Sequence, residues 1–475
     1  MRCGNHRSRN SSIFHVFLLL TSLLWAQVTR AQTMLAPEVH ANIDEIARQM
    51  LAKTGMPSAS IAIVKDGKIA YVQAYGDAHL DPRVAARPEM RYEVGSISKQ
   101  FTAAAILLLA EEGKLSLDDP VSKFVPALTR GDEVTVRELL SHTSGYQDYY
   151  PQDYLPVFML KATTSQSILD RWARRQLDFD PGTKWQYSNT NFVIAGLIIE
   201  KVSDTPLFQF LSKRVFTPLG MKSVADIDQN NLPPADAGGY FRYALGPLRP
   251  ATKEGNGWLS AAGELAMTAE DLAKWNVSII RQSLLKPVSY RTMETEVPLK
   301  GGGRTGYGLG LSLRNNGGHR ALEHGGEVSG FTSENIVLPD DGIAVTVLTN
   351  QDNPTNSSQL AREIVGALIP RDNPQPTKQD ELVRKILIGL SQGQIDRSLF
   401  TEEGSAYFSD AALRDYAATL APLGAPQSLR QTSIANRGGM TFRLYTATFL
   451  TKAFDISIFQ TPDGKFEQYL VTPRE

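Results

Sequence analysis

Hydrophobic spacing along the chain changes period several times, and each change marks an element. Residues 38–53 space their apolar positions as an amphipathic helix does. "SASIAIVKDGKIAYVQAYG" then alternates as two strands around the turn Lys65-Asp66-Gly67. A short polar group at Ser96 opens a continuous apolar run that predicts a buried helix ending at Gly113. Residues from about 115 to 225 read as mostly helical, interrupted by "SHTSGYQDYYPQDY" and "DPGTKWQYSNTNF". Thr268, with Glu270 and Asp271 behind it, marks another helix start. Strand-like stretches follow in "YGLGLSLR", "ALEHGG" and "SENIVLPDDGIAVTVLTNQ". "LIPRDNPQPTK" breaks the pattern and predicts a domain boundary, with a linker at 371–377. Beyond it, 378–475 reads as a small α+β module. "DELVRKILIGL" and "DAALRDYAATL" are its helices, and "GMTFRLYTATF", "FDISIFQT" and "KFEQYLVT" form a meander turning at Pro462-Asp463-Gly464.

The N-terminus changes the picture of where the chain works. Arg2, Arg7 and Arg9 precede an apolar run, Val16 to Ala26, too short to span a bilayer easily. Thr29-Arg30-Ala31 then offers small residues at a cleavage site. The expectation is a signal peptide, 1–31, cleaved after Ala31, and a secreted or periplasmic protein with no transmembrane span. Its removal takes away four arginines and no acid, leaving a mildly acidic chain. That argues against nucleic acid as a partner. The one cysteine, Cys3, would leave with the signal, so neither a disulfide nor a thiol nucleophile is expected.

Three groups of residues carry candidate chemistry. Ser96 and Lys99 stand at i and i+3 at a helix mouth, on one face. A backbone N–H there is unpaired and can donate to an oxyanion, and a desolvated lysine can take a serine proton. Tyr187 and Asn189 lie two apart in a loop and can face one cleft, as proton shuttle and substrate hydrogen-bonder. His324-Gly325-Gly326 sits on an expected edge strand, where glycines let a substrate backbone approach and the Glu327 N–H can serve as a second oxyanion donor. Taken singly, each has a bland reading: an N-cap with a solvated lysine, a structural loop, a strand histidine.

In their order the three groups resemble the Ser-x-x-Lys, Tyr-x-Asn and His-x-Gly motifs of the penicillin-recognising serine hydrolases. The branch is that of class C β-lactamases, D-Ala-D-Ala carboxypeptidases, D-aminopeptidases and esterases. "VRELLSHTSGY", "PGTKWQYSNTNFVIAGLIIEKVS", "AAGELAMTAEDLAKW" and "YGLGLSL" fit as well, so the resemblance covers Ile43 to Ile369. It implies a hydrolase domain over 32–370 with an α/β (α+β) serine β-lactamase-like fold. An antiparallel five-stranded sheet would lie between helices, with a helical subdomain across the active site. It also implies roles. Ser96 would be the nucleophile, and Lys99 and Tyr187 a coupled acid/base pair. Asn189 would hold Lys99 and the substrate amide. The N–H groups of Ser96 and Glu327 would form the oxyanion hole, with His324, Gly325 and Gly326 beside the substrate. Tyr146 and Gln147 would line the cleft, and His142 would be structural. The C-terminal module is similar to the cone-shaped domains related to nuclear transport factor 2 and reads as a stabilising appendage, with substrate or partner binding as its alternative.

One departure bears on substrate. β-Lactamases of the family begin the third motif with Lys, whose charge helps hold a carboxylate. Here it is His324, mostly neutral at pH 7. Strand alternation puts Glu323 and Glu327 on the opposite face, away from it. The expected substrate is therefore a small ester or D-amino-acid peptide rather than a β-lactam. A true β-lactamase or penicillin-binding carboxypeptidase, and a non-catalytic binding member of the fold, are the alternatives. No metal or cofactor is expected, because the histidines show no ligand spacing. Gly389-Leu390-Ser391-Gln392-Gly393 matches a hydrolase elbow but follows a helical pattern, and Gly301, Gly303 and Gly306 mimic a dinucleotide fingerprint without its strand and helix.

Overall fold

A computed structural model describes residues 35–152, 154–244, 246–369 and 377–474, with side chains of 435–437 excepted. The expected signal peptide, Cys3 and linker residues 371–376 lie outside the described residues. The chain divides into two compact units between Pro370 and Arg371.

The first unit is built on one antiparallel sheet. Helix α1 (Pro37–Thr54) ends on Gly55 in the left-handed conformation and leads into β1 (Ser58–Lys65), β2 (Lys68–Leu80) and β3 (Arg83–Ala85). Then come α2 (Ser98–Glu111), α3 (Asn189–Ser203) and α4 (Ala269–Arg281). Strands β4 (Ser312–Asn316), β5 (His319–Val328), β6 (Phe331–Leu338) and β7 (Ile343–Thr349) return the chain to the sheet, and α5 (Pro354–Leu368) closes the unit. The strand order is β3-β2-β1-β7-β6-β5-β4.

The sheet therefore has seven strands, not the expected five. At one edge, Asp77–Leu80 of the long β2 pairs with the short β3. At the other, β4 reaches only His319 to Glu323 of β5, so strand pairing on that side stops one residue before His324. "YGLGLSLR" becomes strand only from Ser312, its glycines forming a turn first.

Strands β1, β6 and β7 are buried along nearly their whole length because both faces are covered. On one face Ile61, Ile63, Ile336 and Val345 pack with Ile43 and Ala47 of α1 and Leu360 and Ile364 of α5. On the other, α4 separates the sheet from a helical layer containing α2 and α3. That layer is less regular than its sequence predicts. Between 115 and 188 the described residues make only short helices, such as Val136–Leu140 and the continuous stretch 165–173, because frequent Gly, Pro and Asp residues interrupt the chain.

The second unit contains α6 (Lys378–Ser391), α7 (Glu402–Tyr407) and α8 (Asp410–Leu420), followed by a four-stranded meander, β8 (Ser428–Arg437), β9 (Met440–Thr448), β10 (Ala453–Gln460) and β11 (Phe466–Pro473). Val383, Leu387 and Leu390 of α6 pack on Tyr445, Ile456 and Ile458. Strand β8 was not expected: it is an exposed edge strand of polar sequence, without the apolar alternation that marks the other three. Ser391 lies in the last turn of α6, so the elbow-like pentapeptide is a helix end.

Candidate active site

Two glycines let the turn at Ser96 meet the end of β5. Tyr92–Glu93 pairs with Leu265–Met267, and the Val94 N–H donates to Leu265 O at 3.0 Å. The chain reverses through a 3-10 turn, Gly95–Ile97, that runs directly into α2. Gly95 sits at φ +52°, and a Cβ there would stand 2.7 Å from the Glu327 nitrogen. From the other side, a Cβ on Gly326 would stand 1.9 Å from Val94 O. Only hydrogen fits at either place. Gly326 thus serves contact between two backbones of this chain, and both it and Gly325 border the cleft.

Lys99 is fully buried one turn into α2. Its Nζ donates to Asn189 Oδ1 at 2.8 Å, to Ala262 O at 2.8 Å and to Ser96 Oγ at 2.9 Å. The first two partners can only accept. The third can accept or donate, so an ammonium and an amine both fit. As an ammonium, Lys99 spends all three protons; as an amine, it turns its lone pair to the serine hydroxyl. Burial pushes its pKa down to about 7, and the charge of Asp148 opposes that fall.

Asp148 explains why the Asn189 amide points as it does. Its Oδ1 accepts from the Asn189 backbone N–H at 2.9 Å and from Asn189 Nδ2 at 3.1 Å. A carboxylate can only accept, so the amide nitrogen turns to Asp148 and its oxygen to Lys99. Burial raises the Asp148 pKa while its N–H donors and Lys99 lower it.

Tyr187 completes the group. Its hydroxyl is hydrogen-bonded to that of Ser96, and burial pushes its pKa well up, so it is a neutral phenol. Its ring lies 4.9 Å from Lys99 Nζ. His142 packs behind it with ring centroids 4.3 Å apart, and His142 Nδ1 accepts the Ser188 N–H at 3.2 Å. Burial above all, with the nearby Lys99, pushes the His142 pKa well down, so the neutral ring is a shelf for the phenol.

His324 is buried on β5. Its Nε2 and the Tyr307 hydroxyl are 2.8 Å apart, and its Nδ1 lies 2.6 Å from Gly325 O. Nδ1 therefore carries the proton and Nε2 accepts from Tyr307. Burial and the nearby Lys99 depress its pKa to about 4, so it brings no positive charge.

These residues open on a cleft of about 1360 Å³. Tyr149, Tyr150, Tyr154, Phe241 and Tyr243 give it aromatic walls. Its lining carries Asp148, Glu327, Glu334 and Asp352 against one guanidinium, Arg242. Tyr146 and Gln147 do not line it. The Tyr146 ring is buried with its hydroxyl donating to Thr129 O at 3.0 Å, and the Gln147 amide donates to Gln176 O at 3.1 Å. The loop turns so that Asp148 and its two following tyrosines face the cleft instead. Sequence reasoning missed Asp148, Tyr307 and the Ala262 carbonyl. A carboxylate directly after the Tyr146-Gln147 pair was the one available signal.

Comparison with known proteins agrees with this architecture. The sequence model of the family described as Beta-lactamase matches residues 43–368. Protein flp of Staphylococcus aureus is 30% identical over 334 residues, which are 67% of this chain and 64% of that protein. A D-aminopeptidase of Brucella anthropi is 30% identical over 298 residues, 62% of this chain and 56% of that enzyme. The chain thus spans less than two thirds of the length of either relative. Among solved structures, the octameric penicillin-binding protein homologue from Pyrococcus abyssi superposes with a TM-score of 0.63 at 25% identity, covering 92% of this chain and 96% of that one. With its sheet, its helical layer and a matched span that holds every residue of the cleft, this chain belongs to the beta-lactamase family.

Proposed function

We propose that this protein is a secreted serine hydrolase that works through an acyl-enzyme on a small ester or amide. A D-amino-acid peptide or a carboxylic ester is its substrate in preference to a β-lactam. The observation that carries the reading is the buried Lys99 amine, 2.9 Å from Ser96 Oγ and held by two fixed acceptors. Ser96 Oγ attacks the carbonyl carbon, and its proton passes to the Lys99–Tyr187 pair. With a pKa near 7, Lys99 is the resting acceptor, and the neutral Tyr187 phenol relays the proton to the leaving amine or alkoxide. The carbonyl oxygen, now an oxyanion, faces the N–H groups of Ser96 and Glu327. Collapse breaks the bond to the leaving group. Water then attacks the acyl carbon, gives its proton to the same pair, and releases Ser96.

The charge of the cleft supports the substrate preference. A β-lactam brings a carboxylate to a lining with four carboxylates and one guanidinium, beside a neutral histidine. The similarity to a D-aminopeptidase points the same way. Turnover of p-nitrophenyl acetate and butyrate, D-alanine p-nitroanilide, a D-Ala-D-Ala peptide and nitrocefin tests the reading. Hydrolysis of esters or D-amino-acid substrates with nitrocefin slowest is expected, and fast nitrocefin turnover overturns the substrate preference. Export is part of the proposal. It rests on the basic start, the Val16–Ala26 run and the Thr29–Ala31 site. The exported chain is expected to begin at Gln32 on N-terminal sequencing; an N-terminus retaining Val16–Ala26 sinks it.

Asp148→Asn separates charge from position at the base. Asp148 holds the Lys99 pKa up. Its neutralisation therefore lowers that pKa further, and the acid limb of kcat/KM should move to lower pH by about half a unit to one unit. Maximal kcat should fall about tenfold as Asn189 loses its orientation. An unmoved acid limb in a folded variant rejects the coupling.

A further inference from the structure

Beyond the edge of β5 the cleft reaches a carboxylate that the mechanism does not use. Glu334 stands on β6 directly opposite Gly325 of β5, so both face the same side of the sheet. Its side chain belongs to a residue only 7% exposed, yet it lines the cleft. Among the described residues no hydrogen bond or ion pair reaches it. Gly325 is what leaves it accessible: a Cβ there would sit 3.5 Å from Glu334 Oε2, in van der Waals contact across the carboxylate. Strand pairing by β4 ends at Glu323, so no neighbouring strand screens this place.

The surroundings select the sign of a ligand. Glu327 and Asp352 line the same cleft, while Arg242, its one guanidinium, turns its Nη2 to Thr54 O at 3.0 Å. Burial and the neighbouring Glu323 push the Glu334 pKa up to about 7, and Arg362 opposes them. A buried carboxylate without donors costs free energy that a cationic donor returns. An opening the size of one missing methyl suits a compact ammonium better than a planar guanidinium.

We infer that Glu334, reached past Gly325, is a subsite for an ammonium group, and that the substrates of this cleft carry a free amine. As a statement about substrate it rests on the hydrolase reading; as a statement about binding it does not. The test has one arm for each. In the Ser96→Ala protein, binding of short ω-amino alkanamides is compared with that of the matching alkanamides by calorimetry. The amine is expected to tighten binding about tenfold or more, and Glu334→Gln in the same background to remove that gain. Gly325→Ala, whose Cβ fits at ordinary contact distance, should remove it by covering the carboxylate. In the otherwise unaltered enzyme, p-nitrophenyl esters with and without a terminal amine should show the same preference in kcat/KM, lost on Glu334→Gln. Equal binding of the two amides, or a preference that survives Glu334→Gln, overturns the subsite. Amine-dependent binding without Ser96-dependent turnover keeps the subsite and overturns the hydrolase reading alone.

Discussion

Ser96→Ala is expected to reduce turnover of every substrate by about 10⁴-fold or more while leaving the fold intact. Nothing nearby can replace the lost nucleophile. Ser98 is the adjacent hydroxyl, but it is fully buried and its Oγ accepts the Leu265 N–H at 3.2 Å. The residue side chain removed is small, and its removal orphans little: Lys99 Nζ keeps Asn189 Oδ1 and the Ala262 carbonyl. Stability should therefore change by no more than about 1 kcal/mol. Initial rates on the substrate panel, a thermal melt, and mass spectrometry after fluorophosphonate treatment check this together. Wild-type protein should gain the phosphonyl adduct on the peptide holding Ser96, and the variant should not. A folded variant that keeps its rate would place the nucleophile elsewhere and end the mechanism.

What the sequence makes legible is chemistry that is local. Ser96 and Lys99 sit within one turn of helix, so their proximity follows from spacing alone. The end of α1, the Thr268 cap and the helical reading of the 389–393 pentapeptide are equally local, since caps and periods act within a few residues. Contacts that depend on how distant segments cross are not legible. Asp148 matters because a loop 41 residues before Asn189 in sequence folds against the start of α3. Tyr146 and Asp148 are two apart, and nothing in the sequence says which of them a curling loop turns inward. Glu334 gains its meaning from register: one residue of slip between β5 and β6 would place it opposite another residue than Gly325. Likewise nothing in the sequence says that Gly326, besides bordering the cleft, makes room for the Val94 carbonyl. Edge strands β3 and β8 escape notice because exposed edges need no apolar alternation.

Lys99→Met should cost about 10²–10⁴-fold in kcat/KM and should also change how stability depends on pH. The activity loss follows from removing the proton acceptor. In the wild type the same assignment makes kcat/KM rise through about pH 7 as the buried amine deprotonates, falling about tenfold per unit below it. The stability effect follows from linkage. Lys99 has a folded pKa near 7, lowered from 10.5. Below pH 7 both states are protonated and the burial penalty is fully present. Between about 7 and 10.5 the unfolded chain binds more protons, so stability rises with pH. The span amounts to roughly 3–6 kcal/mol at 1.36 kcal/mol per unit. Methionine has a similar length and no charge, so it removes this slope. It leaves Asn189 Oδ1 and Ala262 O without their donor, at about 1–3 kcal/mol each, which offsets much of the penalty removed at low pH. The variant should therefore remain folded near pH 6 and fall progressively behind the wild type as pH rises toward 9. Urea unfolding of both proteins across that range reads the difference. Parallel stability curves would mean that Lys99 is not the buried amine titrating near 7, and the assignment of the base would fall with it.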